Sequence, residues 1–172
     1  MKLSDFQFDL PERLIAQTPA DPRDSARLLH VPAEGDFHDR GVRDLPALLQ
    51  SGDVLVVNDT RVIPARLTGK RGEAKVEVTL HKQLGPSRWA SFARPARRLR
   101  PGETVVFADD FSATVESRDG GEVALAFDGD DAYVARGLAA HGVMPLPPYI
   151  KRPAEGQAED RDSYQTVFAA RD

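Results

Sequence analysis

The 172-residue sequence contains no cysteine. Disulfides, thiolate zinc sites, iron–sulfur clusters and a cysteine nucleophile are therefore excluded. No apolar run approaches the roughly 20 residues that a membrane-spanning helix needs, and residues 1–10 lack the basic region of a signal peptide. We expect a soluble, cytoplasmic protein without a membrane partner, whose chemistry depends on oxygen and nitrogen groups.

Short signatures of common cofactor sites are also missing. The sequence contains no GxGxxG, P-loop, HExxH, GxSxG or EF-hand motif. Its four histidines, His30, His38, His81 and His141, do not have the spacing of metal ligands. We predict neither a metal site nor a permanently bound cofactor.

The composition is that of an ordinary globular protein, with 41% hydrophobic and 29% charged residues. The length suits one domain or two small ones. A net charge of −4 argues against wrapping of nucleic acid by the whole surface. Any contact with RNA must therefore depend on a local basic patch.

The first third of the chain has the pattern of an α/β protein. We predict one or two helical turns in residues 9–17, a strand in 26–31 and a short helix in 44–49. Val54, Leu55, Val56 and Val57 form a continuous apolar run. Such a run is typical of a strand that is covered on both faces.

The middle of the chain has the pattern of a small β-barrel. Residues 75–80 alternate polar and apolar side chains, and the turn-separated segments 88–92, 103–107, 112–116 and 122–127 are further strand candidates. Five or six short strands with frequent turns favour a closed antiparallel barrel. A helix is predicted in residues 130–140, with Asp130 as its cap and Gly142 just past its end.

The last segment contains a stiff proline-rich arm, residues 145–152, and an acidic stretch, 154–163, that we expect to be mobile. Residues 164–168 are predicted as a strand, which needs a neighbour and would find it in the N-terminal segment. The predicted fold class is therefore α/β plus all-β: part of a large α/β domain interrupted by an inserted small antiparallel β-barrel. The predicted boundaries are 1–64 and 146–172 for the first domain and 65–145 for the barrel.

Asn58, Asp59, Thr60 and Arg61 follow the predicted buried strand directly. In α/β folds, ligand-binding side chains tend to lie at this position. Asn and Asp are also the residues that dominate turns. Spacing alone leaves both interpretations open.

Arg23, Asp24 and Arg27 lie in a polar turn, where two guanidinium groups and a carboxylate would suit a phosphate or a ribose. An ordinary surface ion pair is the alternative.

Two further segments are candidates for contact with RNA. Arg94, Arg97, Arg98 and Arg100 concentrate positive charge, although a protected barrel edge favours Arg and Pro as well. The proline arm presents an aromatic residue beside two cations, which suits a base and a phosphate, and it is equally typical of a domain linker. These three residues are Tyr149, Lys151 and Arg152.

Several long segments, which together cover nearly the whole chain, resemble the S-adenosylmethionine:tRNA ribosyltransferase-isomerases. The most distinctive is residues 52–67, GDVLVVNDTRVIPARL. The other matching segments are 8–11, 14–19, 22–24, 27–29, 44–46, 98–102, 144–152 and 164–169.

The resemblance implies a bacterial cytoplasmic enzyme of queuosine biosynthesis. Such an enzyme transfers and isomerises the ribosyl part of S-adenosylmethionine onto 7-aminomethyl-7-deazaguanine in tRNA, giving epoxyqueuosine, adenine and methionine. S-adenosylmethionine is then a consumed ribosyl donor, and the partner is tRNA that carries the 7-deazaguanine precursor.

The implied reaction suggests roles for these residues by residue type. A general acid must serve the leaving adenine, and a base must help to form the sulfonium ylide, so Asp59 and Asp24 are the carboxylate candidates. We expect Arg23, Arg27, Asn58, Thr60 and Arg61 to bind substrate. The expected tRNA contacts are Arg97, Arg98, Tyr149, Lys151 and Arg152.

The departure from the family is length, because its members are about twice as long. A C-terminal half that completes the site is therefore an expected partner. The sequence leaves three hypotheses: a transferase or half-enzyme, a tRNA-binding module, and a remnant with neither activity.

Overall fold

The protein is described by a computed structural model, which covers residues 1–153 and 155–169. The chain forms two units. The first unit comprises Met1–Arg61, Pro147–Lys151 and Gln165–Asp172, and the second comprises Val62–Leu146 and Arg152–Tyr164. The domain boundaries expected from the sequence stay a prediction.

The first unit contains little regular structure. Strand β1 (Arg27–His30) pairs antiparallel with strand β2 (His38–Gly41), and helix α1 spans Leu45–Leu48. Short 3₁₀ turns lie at Leu3–Phe6, Glu12–Leu14, Arg23–Ser25 and Val42–Asp44. The predictions of β1 and α1 are confirmed, and the helix predicted in residues 9–17 is a single 3₁₀ turn. Strand β2, His-Asp-Arg-Gly, was missed because it has no apolar alternation.

The prediction of a buried strand in residues 54–57 is wrong. These residues form no strand, and Val54 and Val56 are each 87% exposed. None of the described residues of the first unit is buried. Residues 54–57 therefore have the composition of a buried strand, but the described part of this unit has no buried core against which they could pack.

The second unit is built on a closed antiparallel barrel of six strands, which confirms the predicted barrel. The strands are β3 Arg66–Arg71, β4 Ala74–Gly85, β5 Arg88–Arg94, β6 Thr104–Ala108, β7 Phe111–Asp119 and β8 Glu122–Phe127. Around the barrel they follow the order β3-β4-β5-β8-β7-β6. The sequence patterns do not predict strand β3, Arg-Leu-Thr-Gly-Lys-Arg, because its polar residues outnumber its apolar ones.

The barrel closes where β3 meets β6, with Lys70 opposite Val106. A side chain at Gly69 would come within 2.6 Å of the Phe107 ring and 2.7 Å of the Val106 carbonyl oxygen, so glycine allows the two strands to approach. Alternate residues of each strand point inward. Leu67, Val78, Val105, Val115 and Leu125 are among those that fill the interior.

Helix α2 (Asp131–His141) packs against this core. The Asp130 carboxylate accepts a hydrogen bond from the Tyr133 amide at 2.7 Å, as the predicted N-cap requires. Val134 and Leu138 are buried, and Gly137 lies against the ring of Phe111. The predicted helix, with Gly142 at its end, is confirmed.

The segment after the barrel differs from its prediction. Helix α3 (Asp160–Ser163) lies within the stretch expected to be mobile, and Asp160 in it is buried. Residue 154, the first of that stretch, lies outside the described residues. The strand predicted in 164–168 is wrong: the Tyr164 amide donates to the Asp160 carbonyl and the Ala169 amide to that of Thr166, so the segment turns.

In the described part of the chain, no helix has both the length and the apolar character needed to cross a membrane.

Candidate functional site

A cleft of about 570 Å³, lined by both charged and apolar side chains, lies in the first unit. Its organising residue is Gln17, whose side-chain amide donates to the Tyr149 carbonyl at 3.0 Å and accepts from the Lys151 amide at 2.8 Å. One side chain thus pairs with the backbone on both sides of Ile150, as a neighbouring strand would. The lining residues are Glu12, Arg13, Ile15, Gln17, Pro148, Tyr149 and Lys151.

Lys151 contributes a cation to this cleft and is paired with Glu12. The two side chains are 70% and 82% exposed, and Nζ lies 2.9 Å from Oε2. The hydrogen bond from Lys151 and then its charge lower the pKa of Glu12. A lowered pKa favours the folded state above the unfolded pKa of the carboxyl, and that contribution is lost as pH falls through the folded pKa. The pair is solvated, so its contribution is small.

The structure therefore brings the predicted residues Tyr149 and Lys151 together and adds Glu12 and Gln17. The sequence gives no local signal for the contacts of Gln17 with Tyr149 and Lys151, because these backbone partners lie 132 and 134 residues away. Tyr149 is 57% exposed beside these polar groups. The cleft offers a ring face, a cation and an amide on a tethered segment.

Arg23 and Asp24 lie on a separate turn of the first unit. The Arg23 guanidinium donates to the Gln165 carbonyl at 3.2 Å, and the Ser25 hydroxyl donates to the Pro22 carbonyl at 2.6 Å. Asp24 is exposed in the same turn. The turn is thus held to residue 165 through Arg23 and presents a carboxylate to solvent.

Arg27 lies on β1 and reaches across to Asp39 on β2, with Nη2 and Oδ1 3.4 Å apart. The two side chains are 88% and 80% exposed. Such a pair contributes little to stability. This geometry is the surface ion pair that was the alternative for Arg27.

Asn58 and Thr60 form a local turn. The Asn58 side-chain oxygen accepts from the Thr60 amide at 3.1 Å and from its hydroxyl at 2.7 Å. Asp59 is half-buried and Arg61 is exposed. The Asx-type turn is the structural alternative considered for this segment, and it also fixes the backbone that carries Asp59.

Arg97 and Arg98 are exposed at the end of β5, in the 3₁₀ turn Ala96–Arg98. Buried Ala96 and Leu99 anchor this turn in the core. The Arg71 guanidinium donates to the Arg98 carbonyl at 3.1 Å. We call Arg94, Arg97, Arg98 and Arg100, all exposed, the basic edge.

Arg152 belongs to the second unit and lies in a different environment. Its Nε donates to both carboxylate oxygens of Asp160, at 3.0 and 3.1 Å. The two side chains are only 9% and 5% exposed. The charge of Arg152 is therefore matched inside the protein.

The second unit has a cleft of its own, of about 640 Å³, which contains none of the predicted site residues. Its two arginines donate to backbone carbonyls: Arg66 to Met144 at 3.1 Å, and Arg161 to Ala139 at 2.8 Å. Arg161 thereby satisfies the C-terminal end of α2. Neither cation points to a ligand role.

The fold and these sites define a class: proteins in which a closed antiparallel barrel with an arginine-rich turn and a less regular unit that carries a cleft belong to one chain. A protein-family model described as "Queuosine biosynthesis protein" matches residues 3–172. The chain therefore belongs to the queuosine biosynthesis protein family.

Similar proteins carry more specific names. The chain is 56% identical to the S-adenosylmethionine:tRNA ribosyltransferase-isomerase of Rhodospirillum rubrum, covering 100% of this chain and 49% of that protein. For the enzyme of the same name from Erythrobacter litoralis, the identity is 57% and the coverage 100% and 50%. The chain thus spans about half the length of these relatives.

A solved structure is also similar, that of an S-adenosylmethionine tRNA ribosyltransferase from Thermotoga maritima. It is 33% identical, with a TM-score of 0.41, and the match covers 80% of this chain and 48% of that one.

Proposed function

We propose that this chain acts in a tRNA-modifying ribosyltransferase-isomerase that uses S-adenosylmethionine as a consumed ribosyl donor. The observation that supports this most is the 56% identity to the Rhodospirillum rubrum enzyme over the full length of this chain. The acceptor is a 7-aminomethyl-7-deazaguanine base in tRNA, and the products are epoxyqueuosine in tRNA, adenine and methionine.

Asp59 and Asp24 are the proposed acid and base. Adenine leaves as a neutral base, so a proton must be delivered to it, and another proton must be removed to form the sulfonium ylide. Asp59 is the stronger candidate, because it is half-buried and its backbone is fixed by the Asn58–Thr60 hydrogen bonds. Asp24 is more exposed.

The proposed substrate-binding residues are Arg23, Arg27, Asn58, Thr60 and Arg61. Arg27 supports such a role because its solvated pair with Asp39 is weak and a substrate anion would compete with it readily. The Thr60 hydroxyl donates to Asn58 and keeps its oxygen as an acceptor.

The proposed tRNA contacts are Arg97 and Arg98 on the barrel and Tyr149 and Lys151 on the proline arm. All four are exposed. Arg152 was expected among them, and its buried pair with Asp160 instead favours a structural role.

We further propose that a C-terminal half, corresponding to the other half of the relatives, completes the catalytic site. The chain spans 49% of the Rhodospirillum rubrum enzyme, and the described part of the first unit has no buried residue. Val54 and Val56, each 87% exposed, are the kind of surface that such a segment would cover.

Release of adenine tests the proposal. We expect little release when this chain is mixed with S-adenosylmethionine and precursor tRNA, and release when the second half of the Rhodospirillum rubrum enzyme is added. That full-length enzyme is the positive control. Full release of adenine by this chain alone would refute the need for a second half. No release of adenine when both halves are present would count against the proposed transferase function.

The acid/base assignment has its own test in the active combination. Asp59→Asn should reduce the rate by about 100-fold or more, because general acid–base catalysis contributes on that scale. Asp36→Asn, at an exposed position of the same unit, is the matched control. Unchanged turnover in Asp59→Asn would show that another group acts as the general acid or base.

A tRNA-binding module without catalysis is the second candidate, favoured by the fact that the barrel carries its own core. Arg97→Ala with Arg98→Ala should weaken tRNA binding and lower the salt slope by roughly two, whereas Arg136→Ala, on exposed α2 surface, should change the slope less. Binding without adenine release in the completed assembly would favour this candidate. If the Arg97/Arg98 double variant and Arg136→Ala changed the salt slope equally, the basic edge would not be part of the tRNA-binding surface.

A further inference from the structure

Phe92 on β5 is 57% exposed, more than the other exposed large apolar side chains of the barrel unit's described residues. Its neighbours Ser91 and Ala93 point inward and are buried. A single exposed aromatic side chain is common on protein surfaces and needs no function. What distinguishes Phe92 is the arrangement around it.

The ring of His81 lies against the ring of Phe92. Their centroids are 4.3 Å apart and the ring planes differ by 19°. His81 occupies a β-bulge, because Leu80 pairs with Ser91 and Lys82 pairs with the next residue, Ala90. Bulges re-aim side chains and often lie beside functional sites. The extra residue thus places an imidazole ring on the face of the phenyl ring.

The stack is fixed from a third strand. Glu122 on β8 is the register partner of Phe92, and its Oε2 lies 3.2 Å from the Nε2 of His81. The His81 side chain is 29% exposed, whereas Phe92 retains more than half of its surface for another contact. The pair is therefore pre-organised, so that a further ring would be bound at a small entropic cost.

The surroundings of the stack indicate what that ring is. Arg94 lies two residues from Phe92, on the same outward side of β5, and Arg97 and Arg98 follow in the exposed turn. Two residues along a strand span about 7 Å, which brings a cation within reach of the phosphate of a stacked nucleotide. Of the acidic neighbours, Glu122 lies beside His81, and Glu77 is the register partner of Arg94.

We propose that the Phe92–His81 pair is a stacking platform for an unpaired base of RNA, continuous with the basic edge. This inference rests on the proposed binding of tRNA by the chain and adds the part of the RNA that the barrel holds. Stacking on an aromatic ring tolerates any base, and it requires that the base be unpaired.

The test compares a stem–loop RNA with a blunt duplex of matching length, using the whole chain. Phe92→Ala should weaken stem–loop binding about tenfold and leave both duplex binding and the salt slope unchanged, because stacking carries no charge. Phe92→Leu, which keeps apolar bulk without a π face, should show the same loss. Phe92→Trp should retain affinity.

Val106→Ala is the matched control, since Val106 is a 46% exposed apolar residue on another strand of the barrel. A stem–loop affinity equal in Phe92→Ala and Val106→Ala would overturn the platform and favour a protein contact for Phe92. The proposed function would still stand if the wild-type chain bound RNA and the salt dependence of its affinity changed on substitution of Arg97 and Arg98. If the wild-type chain bound neither RNA, the platform and the proposed tRNA binding would both fail.

Discussion

The Arg152 guanidinium nitrogen Nε lies 3.0 and 3.1 Å from the two carboxylate oxygens of Asp160, in an environment that leaves both side chains less than 10% exposed. The same carboxylate accepts from the Gln157 amide at 3.3 Å. A residue that the sequence offers as a phosphate ligand thus holds α3 in place within the second unit. This buried pair favours a structural role for Arg152, whose predicted contact with tRNA stays a prediction.

Removing the carboxylate charge should destabilise this unit. We expect Asp160→Asn to lower the free energy of unfolding by about 3 kcal/mol, because it removes the buried negative charge that accepts both hydrogen bonds from the Arg152 Nε. Urea denaturation of the chain measures this. Asp162→Asn, at an exposed position of the same helix, should have little effect.

The double variant Arg152→Met with Asp160→Asn should lose less stability than Asp160→Asn alone, since the buried guanidinium is removed together with the carboxylate charge. Equal stability of Asp160→Asn and Asp162→Asn would contradict the structural role of the pair.

Replacing Gly137 by alanine should destabilise the protein, whereas the same change at an ordinary glycine inside a helix stabilises it. Replacing a helix-interior glycine by alanine usually gains about 1 kcal/mol. At Gly137 the added carbon would overlap the ring of Phe111, so we expect a net loss of about 1 to 3 kcal/mol. Thermal unfolding measures the difference.

Gly121→Ala is the control for Gly137, because a side chain there meets no atom within 4 Å. Combining Gly137→Ala with Phe111→Leu should cost less than the sum of the two single changes. A stabilising Gly137→Ala would show that α2 does not pack this closely on Phe111.

The Gln17 contacts predict a specific pattern of amide hydrogen exchange. Gln17→Ala should accelerate exchange of the Lys151 amide by up to about tenfold, since its acceptor is lost. Gln17→Glu keeps an acceptor oxygen and should retain most of that protection, while losing the donor to the Tyr149 carbonyl. Identical exchange in the wild type and both variants would mean that Gln17 does not hold this segment.

The exposed run of residues 54–57 predicts how a second half would bind. Val54→Lys with Val56→Lys should weaken its association with this chain by about 100-fold, because two valine side chains could no longer be buried. Val106→Lys on the barrel is the control. Calorimetric titration with the second half of the Rhodospirillum rubrum enzyme measures the affinities. Equal affinities for the Val54/Val56 double variant and for Val106→Lys would exclude residues 54–57 from the interface.

Sequence patterns predicted the barrel well because each of its strands buries alternate residues within the same unit. Residues 75–80 show this alternation, and β4 carries it with Val76, Val78 and Leu80 inside. Strand β3 escaped prediction because only Leu67 and Gly69 face the core between polar residues. Its place depends on pairing with two other strands, with Leu67 opposite Val78 on β4 and Lys70 opposite Val106 on β6.

The site was less predictable, because side-chain chemistry is local whereas burial and pairing are not. Residues 58–61 were recognised as polar residues after an apolar run, and the hydrogen bonds of Asn58 to Thr60 require only that short segment. Nothing near Gln17 in the sequence indicates that it contacts Tyr149 and Lys151.

The sequence by itself determined the family and most of the barrel strands, because both depend on residue order and short-range periodicity. It also determined the cap of α2, where Asp130 and Tyr133 are three residues apart. Only the tertiary structure decided that the Arg152 side chain is buried, that the Gln17 side chain bonds to the backbone of Tyr149 and Lys151, and that residues 54–57 are exposed. The physical reason is that solvent exposure depends on which distant atoms surround a side chain, and an identical sequence pattern is compatible with either environment.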